Sequence, residues 1–234
     1  MNMQLRAFKS SDLPRMAQIE CCCNLSDPLA QYVAIDIQKN WQPHLNASAC
    51  FLAKKLLEPG SICWVIVEEA SSSLASVDNV IAWSIWTREG TSVEARIWQQ
   101  KSDDMIQGLC AMEKSYSALE HAPTNDTHIN LIKHIIYKPT VPPRMGLIEY
   151  WELDGMYVDP SYQRRGIGQM MLQWGIRQAE MESVPIVTKS SPVGVYLYEK
   201  NGFQSFERQQ LDTFFEVGHK GMHCMIRNPA KTFL

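Results

Sequence analysis

Three features that would place the chain in a specialised class of protein are missing from its sequence. No apolar run within its 234 residues approaches the ~20 residues that a membrane-spanning helix needs, and residues 1–9 lack the apolar centre of a secretory signal. A formal net charge of −3 supplies neither the basic face of a nucleic-acid-binding protein nor a strongly acidic tail. We therefore expect a soluble, cytoplasmic protein with no membrane or nucleic-acid partner.

Spaced cysteine and histidine ligands are also missing. The seven cysteines include the consecutive run 21–23 and do not have the spacing of a disulfide framework, so we expect reduced thiols. His219, His223 and Cys224 come nearest to a metal-binding cluster, but no further pair of ligands accompanies them. We predict no metal site.

What the chain does contain is an alternation of strand and helix patterns. With 45% hydrophobic and 20% charged residues, its composition is that of an ordinary globular protein. Strand patterns occur at 3–8, 62–68 and 80–86, of which the last two form a hairpin, and again at 185–188, 203–207 and 219–225. Helical patterns occur at 28–57 and 193–200.

Residues 88–146 form a long connection between two predicted strands. Spacings of four and three residues predict an amphipathic helix that contains Met105, Leu109, Met112, Tyr116 and Leu119. A second helix is a candidate at 124–137. This insertion is interpreted as a lid, an acceptor wall, a dimer surface or a packed decoration without a chemical role.

In the strand predicted at 147–158, the alternation of core-facing and outward-facing residues shifts by one position in the middle. Leu153 shares a face with Met156 and Val158 only if the strand accommodates one extra residue near Asp154 and Gly155. Glycine permits the backbone conformation of a β-bulge. The sequence therefore predicts a bulge at this point.

The loop that follows this strand is suited to an anion. Gly166 and Gly168 allow a close approach of the backbone, and Arg164 and Arg165 supply positive charge. The first amides of the helix that begins near Ile167 have no partner within the helix. By itself, this pattern is more typical of a tight turn with solvated arginines than of an anion site.

The loop sequence Gln-Arg-Arg-Gly-Ile-Gly at 163–168 resembles the pyrophosphate-binding signature of the GNAT acetyltransferase superfamily. The preceding strand and the segment Val-Tyr-Leu-Tyr-Glu-Lys-Asn-Gly-Phe at 195–203 resemble neighbouring elements of that superfamily, so the resemblance covers roughly 147–208. It implies an α/β (α+β) fold with a central mixed, mostly antiparallel sheet of about seven strands flanked by helices. On this basis residues 1–234 form a single GNAT domain, with the helical insertion at about 88–146 between strands 3 and 4.

The resemblance also implies which residues bind acetyl-CoA, the expected co-substrate. In the family, the bulge opens a slot in which the pantetheine arm pairs with the strand backbone. Ser191 stands where many members carry an asparagine that helps to hold this arm. The implied coenzyme-binding residues are Met156, Tyr157, Val158, Gln163, Arg164, Arg165, Gly166, Ile167, Gly168, Gln169, Ser191 and Tyr198.

Two residues are candidates for catalysis. An alkyl amine with a pKa near ~10 is almost wholly protonated at neutral pH, so acetyl transfer to it requires a base. By resemblance to the histone-modifying branch, Glu152 is the candidate base, with Asp154 as its substitute; a strand carboxylate without that role is the alternative. Tyr198 matches the tyrosine whose hydroxyl protonates the departing thiolate, unless it only packs there.

The predicted function is therefore direct N-acetylation of a primary amine in a ternary complex with acetyl-CoA. A nonenzymatic acyl-CoA-binding module is the alternative, because the binding signature survives without catalytic competence. The acceptor is either a small molecule or a protein, and the oligomeric state, with a dimer as one option, stays open.

Overall fold

The computed structural model describes residues 2–26, 37–68, 78–118, 145–209 and 221–230. Within these ranges the strands are β1 (Met3–Ala7), β2 (Ser61–Glu68), β3 (Asn79–Glu89), β4 (Tyr150–Val158), β5 (Ile186–Ser190), β6 (Gln204–Gln209) and β7 (Met222–Arg227). The main helices are α1 (Leu13–Ser26), α2 (Trp41–Leu57), α3 (Val93–Gln99), α4 (Asp103–Ser117), α5 (Ile167–Glu182) and α6 (Val195–Lys200). The helix predicted at 124–137, the first part of that predicted at 28–57, Leu119 and His219 lie outside the described residues.

The strands form one mixed sheet in the order β1-β2-β3-β4-β5-β7-β6. Neighbouring strands are antiparallel except β4 and β5, which are parallel and joined through α5. The predicted seven-stranded, mostly antiparallel sheet is confirmed. The predicted hairpin is confirmed as well, with Ile62 of β2 opposite Trp86 of β3.

Helices cover both faces of this sheet. On one face, α1, α2 and α4 bury Leu13, Leu52 and Leu109 against strand residues that include Val65 and Ile85. On the other face, α5 packs against a second core that contains Trp86, Trp151, Leu153 and Trp174. Because successive strand side chains point to opposite faces, Ile85 belongs to the first core and Trp86 to the second.

The described part of the connection between β3 and β4 packs onto the domain through both of its helices. Trp98 of α3 contacts Trp151 and Trp174, with ring centroids 5.3 Å and 6.2 Å apart. The amphipathic helix predicted in this connection is confirmed as α4, with Leu109 buried and Met112 and Tyr116 packed beside the first core. An insertion between strands 3 and 4 is therefore present and helical.

A buried arginine forms ion pairs that connect β3 with residues next to β4 and at the end of α5. Arg88 of β3 is almost fully buried, and its guanidinium pairs with Glu182 at the end of α5 at 2.6 Å and with Glu149 before β4 at 2.8 Å. Charge-assisted bonds of this kind are stronger than neutral ones. They hold β3, β4 and α5 in fixed relation.

Disulfides, metal clusters and membrane-spanning helices are absent from the described residues. All seven cysteines are free, as their spacing predicts. Among the described residues, no group of three or more His, Cys, Asp or Glu side chains has the arrangement of a metal site. In the same part of the chain, no helix combines the length and apolar character needed to cross a bilayer.

Candidate active site

Strand β4 contains the predicted bulge. In its pairing with β3, Gly155 lies opposite Ile85 and Leu153 opposite Trp86, which leaves Asp154 as the extra residue. A Cβ atom at residue 155 would lie 3.2 Å from the Trp83 ring, so the strand passes close to that indole. As the shift in alternation predicts, Leu153 and Met156 then contribute to the same core beneath α5.

Beyond the bulge, β4 and β5 separate. Their parallel pairing covers only residues 151–153 opposite 186–188. Asp159 donates its amide to the Ile81 carbonyl of β3 at 2.9 Å, so the Val158 carbonyl, on the opposite side of the same planar peptide, points away from β3. Because strand geometry repeats every two residues, the backbone groups of Met156 also face this gap. The β4 wall of the resulting cleft therefore consists of peptide groups.

The loop after β4 brings the start of α5 to this cleft. Gly166 is the N-cap of α5 and has φ 81°, in the left-handed region that favours glycine. Arg164 also adopts a positive φ, 63°, and strained backbone of this kind is concentrated at ligand sites. The first-turn amides of α5, those of Ile167, Gly168 and Gln169, lie at the positive end of the helix dipole. This geometry suits a pyrophosphate.

Helix α6 forms the wall next to that loop. A Cβ atom at residue 168 would lie 3.3 Å from Leu197 Cδ2, so glycine permits this close packing. The side-chain amides of Gln169 and Asn201 exchange two hydrogen bonds, at 2.7 Å and 2.9 Å. The Gln169 side chain therefore fixes α5 to the end of α6 and leaves its first-turn backbone amide as the group available to a ligand.

A cavity of about 1480 Å³ contains both the cleft and the loop. Both candidate catalytic residues, Glu152 and Tyr198, line it. The predicted coenzyme-binding residues that line it are Met156, Tyr157, Val158, Gln163, Arg164, Gly166, Ile167, Gly168, Gln169, Ser191 and Tyr198. Arg165 is outside this lining: its guanidinium donates to the Ser161 carbonyl at 2.9 Å and lies 5.2 Å from the centre of the Tyr162 ring. The roles of these residues stay predictions.

Tyr198 lies at the vertex where β4 and β5 diverge. Its buried hydroxyl is hydrogen-bonded to the side chain of Thr188, which donates to the Leu153 carbonyl at 2.9 Å. Burial raises the pKa of Tyr198 to about 12, although the bond with Thr188 acts in the opposite direction. The phenol therefore carries its proton throughout the neutral range. It can act as a proton donor there.

Acidic side chains occupy the opposite side of the bulge, on the face of the sheet covered by α2. Asp154 Oδ1 pairs with Lys55 Nζ at 2.9 Å, and Asp154 Oδ2 accepts a hydrogen bond from Thr87 Oγ1 at 2.5 Å. Burial and the charge of Glu152 raise the pKa of Asp154 to about 7, against the lowering effects of Lys55 and Thr87. Glu152 is partly buried and lines the cavity beside it.

Sequence reasoning missed several residues on this side of the cavity. The charged residues that line the cavity and that it had not assigned to the site are Glu20, Lys55, Glu58 and Glu89, together with Lys189 and Lys200. Burial, Asp154 and Glu58 raise the pKa of Glu89, whereas Lys55 and Arg88 lower it. For Lys55 the sequence contains one weak indication of burial, because this residue adjoins the apolar face of α2. We refer to Glu58, Glu89, Glu152 and Asp154 as the acceptor-side carboxylates.

Comparison with known proteins yields a family match over the same elements. A model of the Acetyltransferase (GNAT) domain matches residues 130–205, which include β4, α5, β5 and α6. A probable acyltransferase, SID5 from Ajellomyces capsulatus, is 35% identical over 46 residues, which are 20% of this chain and 34% of that protein. The chain thus matches about a third of the length of this curated relative.

Solved structures share the whole fold at low identity. A structure described as histone acetyltransferase HPA2 and related acetyltransferase, from Corynebacterium glutamicum, has a TM-score of 0.59 at 13% identity, with 100% of both chains covered. The ribosomal-protein-S18-alanine N-acetyltransferase from Escherichia coli has a TM-score of 0.51 at 13% identity, with 100% of this chain and 99% of that chain covered. The match to the Acetyltransferase (GNAT) domain thus covers the elements that form the cavity, and the solved structures show that acetyltransferases share the fold of this chain.

Proposed function

We propose that the protein is an N-acetyltransferase that transfers the acetyl group of acetyl-CoA to a primary amine by direct transfer in a ternary complex. One observation carries the proposal: within one cavity, the bulged strand β4 separates an anion-receiving loop from a group of carboxylates. A polyanionic coenzyme and a cationic acceptor require opposite charges at the two ends of their site. This cavity has that distribution.

The coenzyme end of the site fits the shape and charge of acetyl-CoA. The first-turn amides of α5 and the guanidinium of Arg164 would bind the pyrophosphate. The backbone groups of Met156 and Val158 would pair with the pantetheine arm, and Ser191 lies on the wall towards α6. Bound there, acetyl-CoA supplies the acetyl group as an activated thioester.

The acceptor end fits a protonated amine. The acceptor-side carboxylates offset the single charge of Lys55 several times over, so an ammonium group is attracted to this part of the cavity. Both carboxylate oxygens of Asp154 already bond to Lys55 and Thr87. Glu152 lines the same part of the cavity, and we assign to it the removal of the acceptor's proton, directly or through water.

The remaining proton transfer involves Tyr198. The neutral amine attacks the thioester carbonyl carbon: a C–N bond forms, the nitrogen releases its second proton to solvent, and the C–S bond breaks. Tyr198 donates its phenolic proton to the departing sulfur and is then reprotonated from solvent. The proton taken by Glu152 is released to solvent, so the reaction yields the amide, the free thiol and one proton.

The experiment is turnover of acetyl-CoA with a panel of amines that includes alkyl monoamines, diamines, arylamines and peptides with a free N-terminus. Acetylated product is measured by mass spectrometry, and coenzyme affinity by calorimetry. Coenzyme binding without turnover of any amine would favour the acyl-CoA-binding module. Absence of coenzyme binding would overturn both functions.

The coenzyme loop is tested by Gly168→Glu, which places a carboxylate at the anion-receiving amides. We expect coenzyme affinity to fall at least 10-fold, because like charges this close disfavour binding. Wild-type protein saturated at 100 times its dissociation constant should gain about 2.7 kcal/mol in stability, and the variant should gain less. Met170→Glu is the matched control, since the exposed Met170 lies on the same helix outside the cavity. Equal affinities of the two variants would refute this loop as the site.

A further inference from the structure

Lys55 connects helix α2 to the bulge of β4. Its Nζ lies 2.9 Å from Asp154 Oδ1 and 2.6 Å from Glu58 Oε2. The side chains of Lys55 and Asp154 are only 18% and 17% exposed, so water screens this pair weakly. The other oxygen of Asp154 is held by Thr87. The carboxylate at the bulge is thus fixed from two directions, by α2 and by β3.

The charge of Lys55 is stable in this position. Burial disfavours the ammonium form, but the attraction of Asp154 and the hydrogen bonds to Asp154 and Glu58 outweigh burial and raise the pKa of Lys55. Lys55 therefore stays positive over the range in which carboxylates titrate. It provides a permanent positive charge among acidic neighbours.

We propose that Lys55 is a positioning residue that fixes the Asp154 carboxylate at the bulge and favours the ionised form of the acceptor-side carboxylates. The inference rests on the proposed acetyl transfer, for which Glu152 must be ready to accept a proton. It assigns to α2 a role in the proton chemistry that takes place on β4.

The surroundings of Asp154 explain why this charge is needed. The groups that face Asp154 are Lys55 and Glu58 from α2 and the turn after it, Thr87 and Glu89 from β3, and Tyr150 and Glu152 from β4. Three of them are carboxylates, and each negative charge makes it harder to ionise the next. An opposite charge within about 4–6 Å lowers a carboxyl pKa by about 1–3 units. Loss of Lys55 would therefore favour protonated carboxyls.

The test compares Lys55→Gln, Lys55→Met and Lys55→Arg. The kcat of each is measured from pH 5 to 10 with one accepted amine, together with coenzyme affinity. In the two neutral variants, we expect the acid limb of the pH profile to shift to higher pH by about one unit or more. At a fixed pH on that limb, kcat should then be about 10-fold lower than in wild type. Lys55→Arg should retain a profile close to wild type, because it keeps the charge.

Lys54→Met is the matched control. Lys54 precedes Lys55 on α2, but it is 55% exposed and lies 3.7 Å from Glu113 of α4 rather than beside Asp154. Its removal should leave the acid limb in place. A profile that moves equally in Lys54→Met would show an effect of net charge and overturn the inference.

A second measurement does not depend on turnover. Carboxyl-carbon NMR follows the titration of Asp154 in wild type, Lys55→Gln and Lys55→Arg, with Asp154→Asn for assignment. We expect the midpoint to rise by about one pH unit or more in Lys55→Gln and to stay near wild type in Lys55→Arg. An unchanged midpoint in Lys55→Gln would overturn the inference even if the protein proves to have no transferase activity. An absence of turnover together with a shifted midpoint would overturn the proposed function alone.

Discussion

Two tyrosines on α6 differ in environment although only one residue separates them. Tyr198 is buried beside Thr188 and packs edge-on against Phe203, with ring centroids 5.4 Å apart. Tyr196 is 74% exposed. Side chains two positions apart on a helix point about 200° from each other, which accounts for the contrast. Both tyrosines line the cavity, and at the scale of single residues burial distinguishes their hydroxyls.

Replacement of Tyr198 by phenylalanine tests this difference. Tyr198→Phe keeps the ring and its packing but deletes the proton donor, so kcat should fall by about 10²-fold while coenzyme affinity stays within a few-fold of wild type. Tyr196→Phe should behave like wild type. The measurements are kcat and the dissociation constant of acetyl-CoA for both variants. The assignment would be wrong if Tyr196→Phe were the damaging change.

Local sequence reveals some residues of the candidate site and hides others. Gly166 and Gly168 are recognisable because a strand, a loop and a helix follow one another along the chain. Thr87 and Asp154 are 67 residues apart, and only the register of β3 and β4 brings them together. Lys55 joins them from a helix whose sequence indicates an apolar face but not which strand it covers. Such contacts depend on tertiary packing and could not be predicted from spacing.

At the scale of secondary-structure elements, α5 approaches the sheet most closely at Gly175. A Cβ atom there would lie 2.1 Å from the Trp86 ring, which is fully buried among other indoles. Trp64 and Trp174 also contact each other in this core, with ring centroids 5.1 Å apart. Glycine at this position therefore sets the distance between α5 and β3.

Gly175→Ala should destabilise the protein. Replacing a glycine inside a helix by alanine normally raises the free energy of unfolding by about 1 kcal/mol. Overpacking a rigid core lowers it by about 1–3 kcal/mol, and here the overlap with the Trp86 ring is severe. We expect a net loss of at least ~1 kcal/mol in the free energy of unfolding, measured with denaturant. Gly108→Ala on α4 is the control, because its Cβ would meet Ser10 at an ordinary 3.5 Å. Gly108→Ala should be as stable as wild type or more stable. A larger loss of stability in Gly108→Ala than in Gly175→Ala would contradict this account.

The bounds of most elements follow from their sequence pattern, and the exceptions have a physical cause. The strand predicted from residue 147 begins at Tyr150 instead. The carboxylate of Glu149 accepts hydrogen bonds from the Thr91 and Ser92 amides at 2.6 Å and 2.9 Å and pairs with Arg88. These contacts draw the chain towards the start of α3 before it joins the sheet. The bulge, by contrast, was predictable, because it changes a pattern that is visible in the sequence.

At the scale of the whole molecule, the order of the strands combines local and distant pairings. The β2–β3 hairpin and the parallel β4–β5 pair follow from chain order and from the helix that links the parallel strands. The position of β7 between β5 and β6 depends on which edges pair after the chain has collapsed. Periodicity contains no information about that choice. The family resemblance, rather than the spacing of residues, supplied the overall architecture.

Stability should depend on pH through Glu20, which is buried between α1 and α2. Its Oε2 accepts a hydrogen bond from Ser48 at 2.7 Å, but burial outweighs this bond and raises the pKa of Glu20 to about 7. In the unfolded chain the same carboxyl titrates near ~4.3. Between these values the folded protein retains a proton that the unfolded chain has released. The free energy of unfolding must therefore decrease as the pH rises through this window.

Glu20→Gln should remove the part of this decrease that Glu20 contributes; the pKa of Asp154 is also raised to about 7, so that carboxyl contributes a further decrease. The variant keeps an acceptor for Ser48 and carries no charge, so it should match wild type near pH 4 and exceed it above pH 7 by up to about 3 kcal/mol. Denaturant unfolding at several pH values measures the difference. Glu199→Gln, at an exposed position on α6, should retain the pH dependence of wild type. If the free energy of unfolding depended on pH in the same way in wild type and Glu20→Gln, Glu20 would be excluded as a cause of the pH dependence.

The cleft beside the bulge is walled on its β4 side by peptide groups, while the side chains of Met156 and Val158 pack beneath α5. Peptide groups are the same for every amino acid except proline, which lacks the amide hydrogen. A wall of this kind requires only extended backbone and one accommodated bulge. Most of the surrounding residues can therefore be exchanged without loss of the cleft, because no particular side chain has to form its β4 wall.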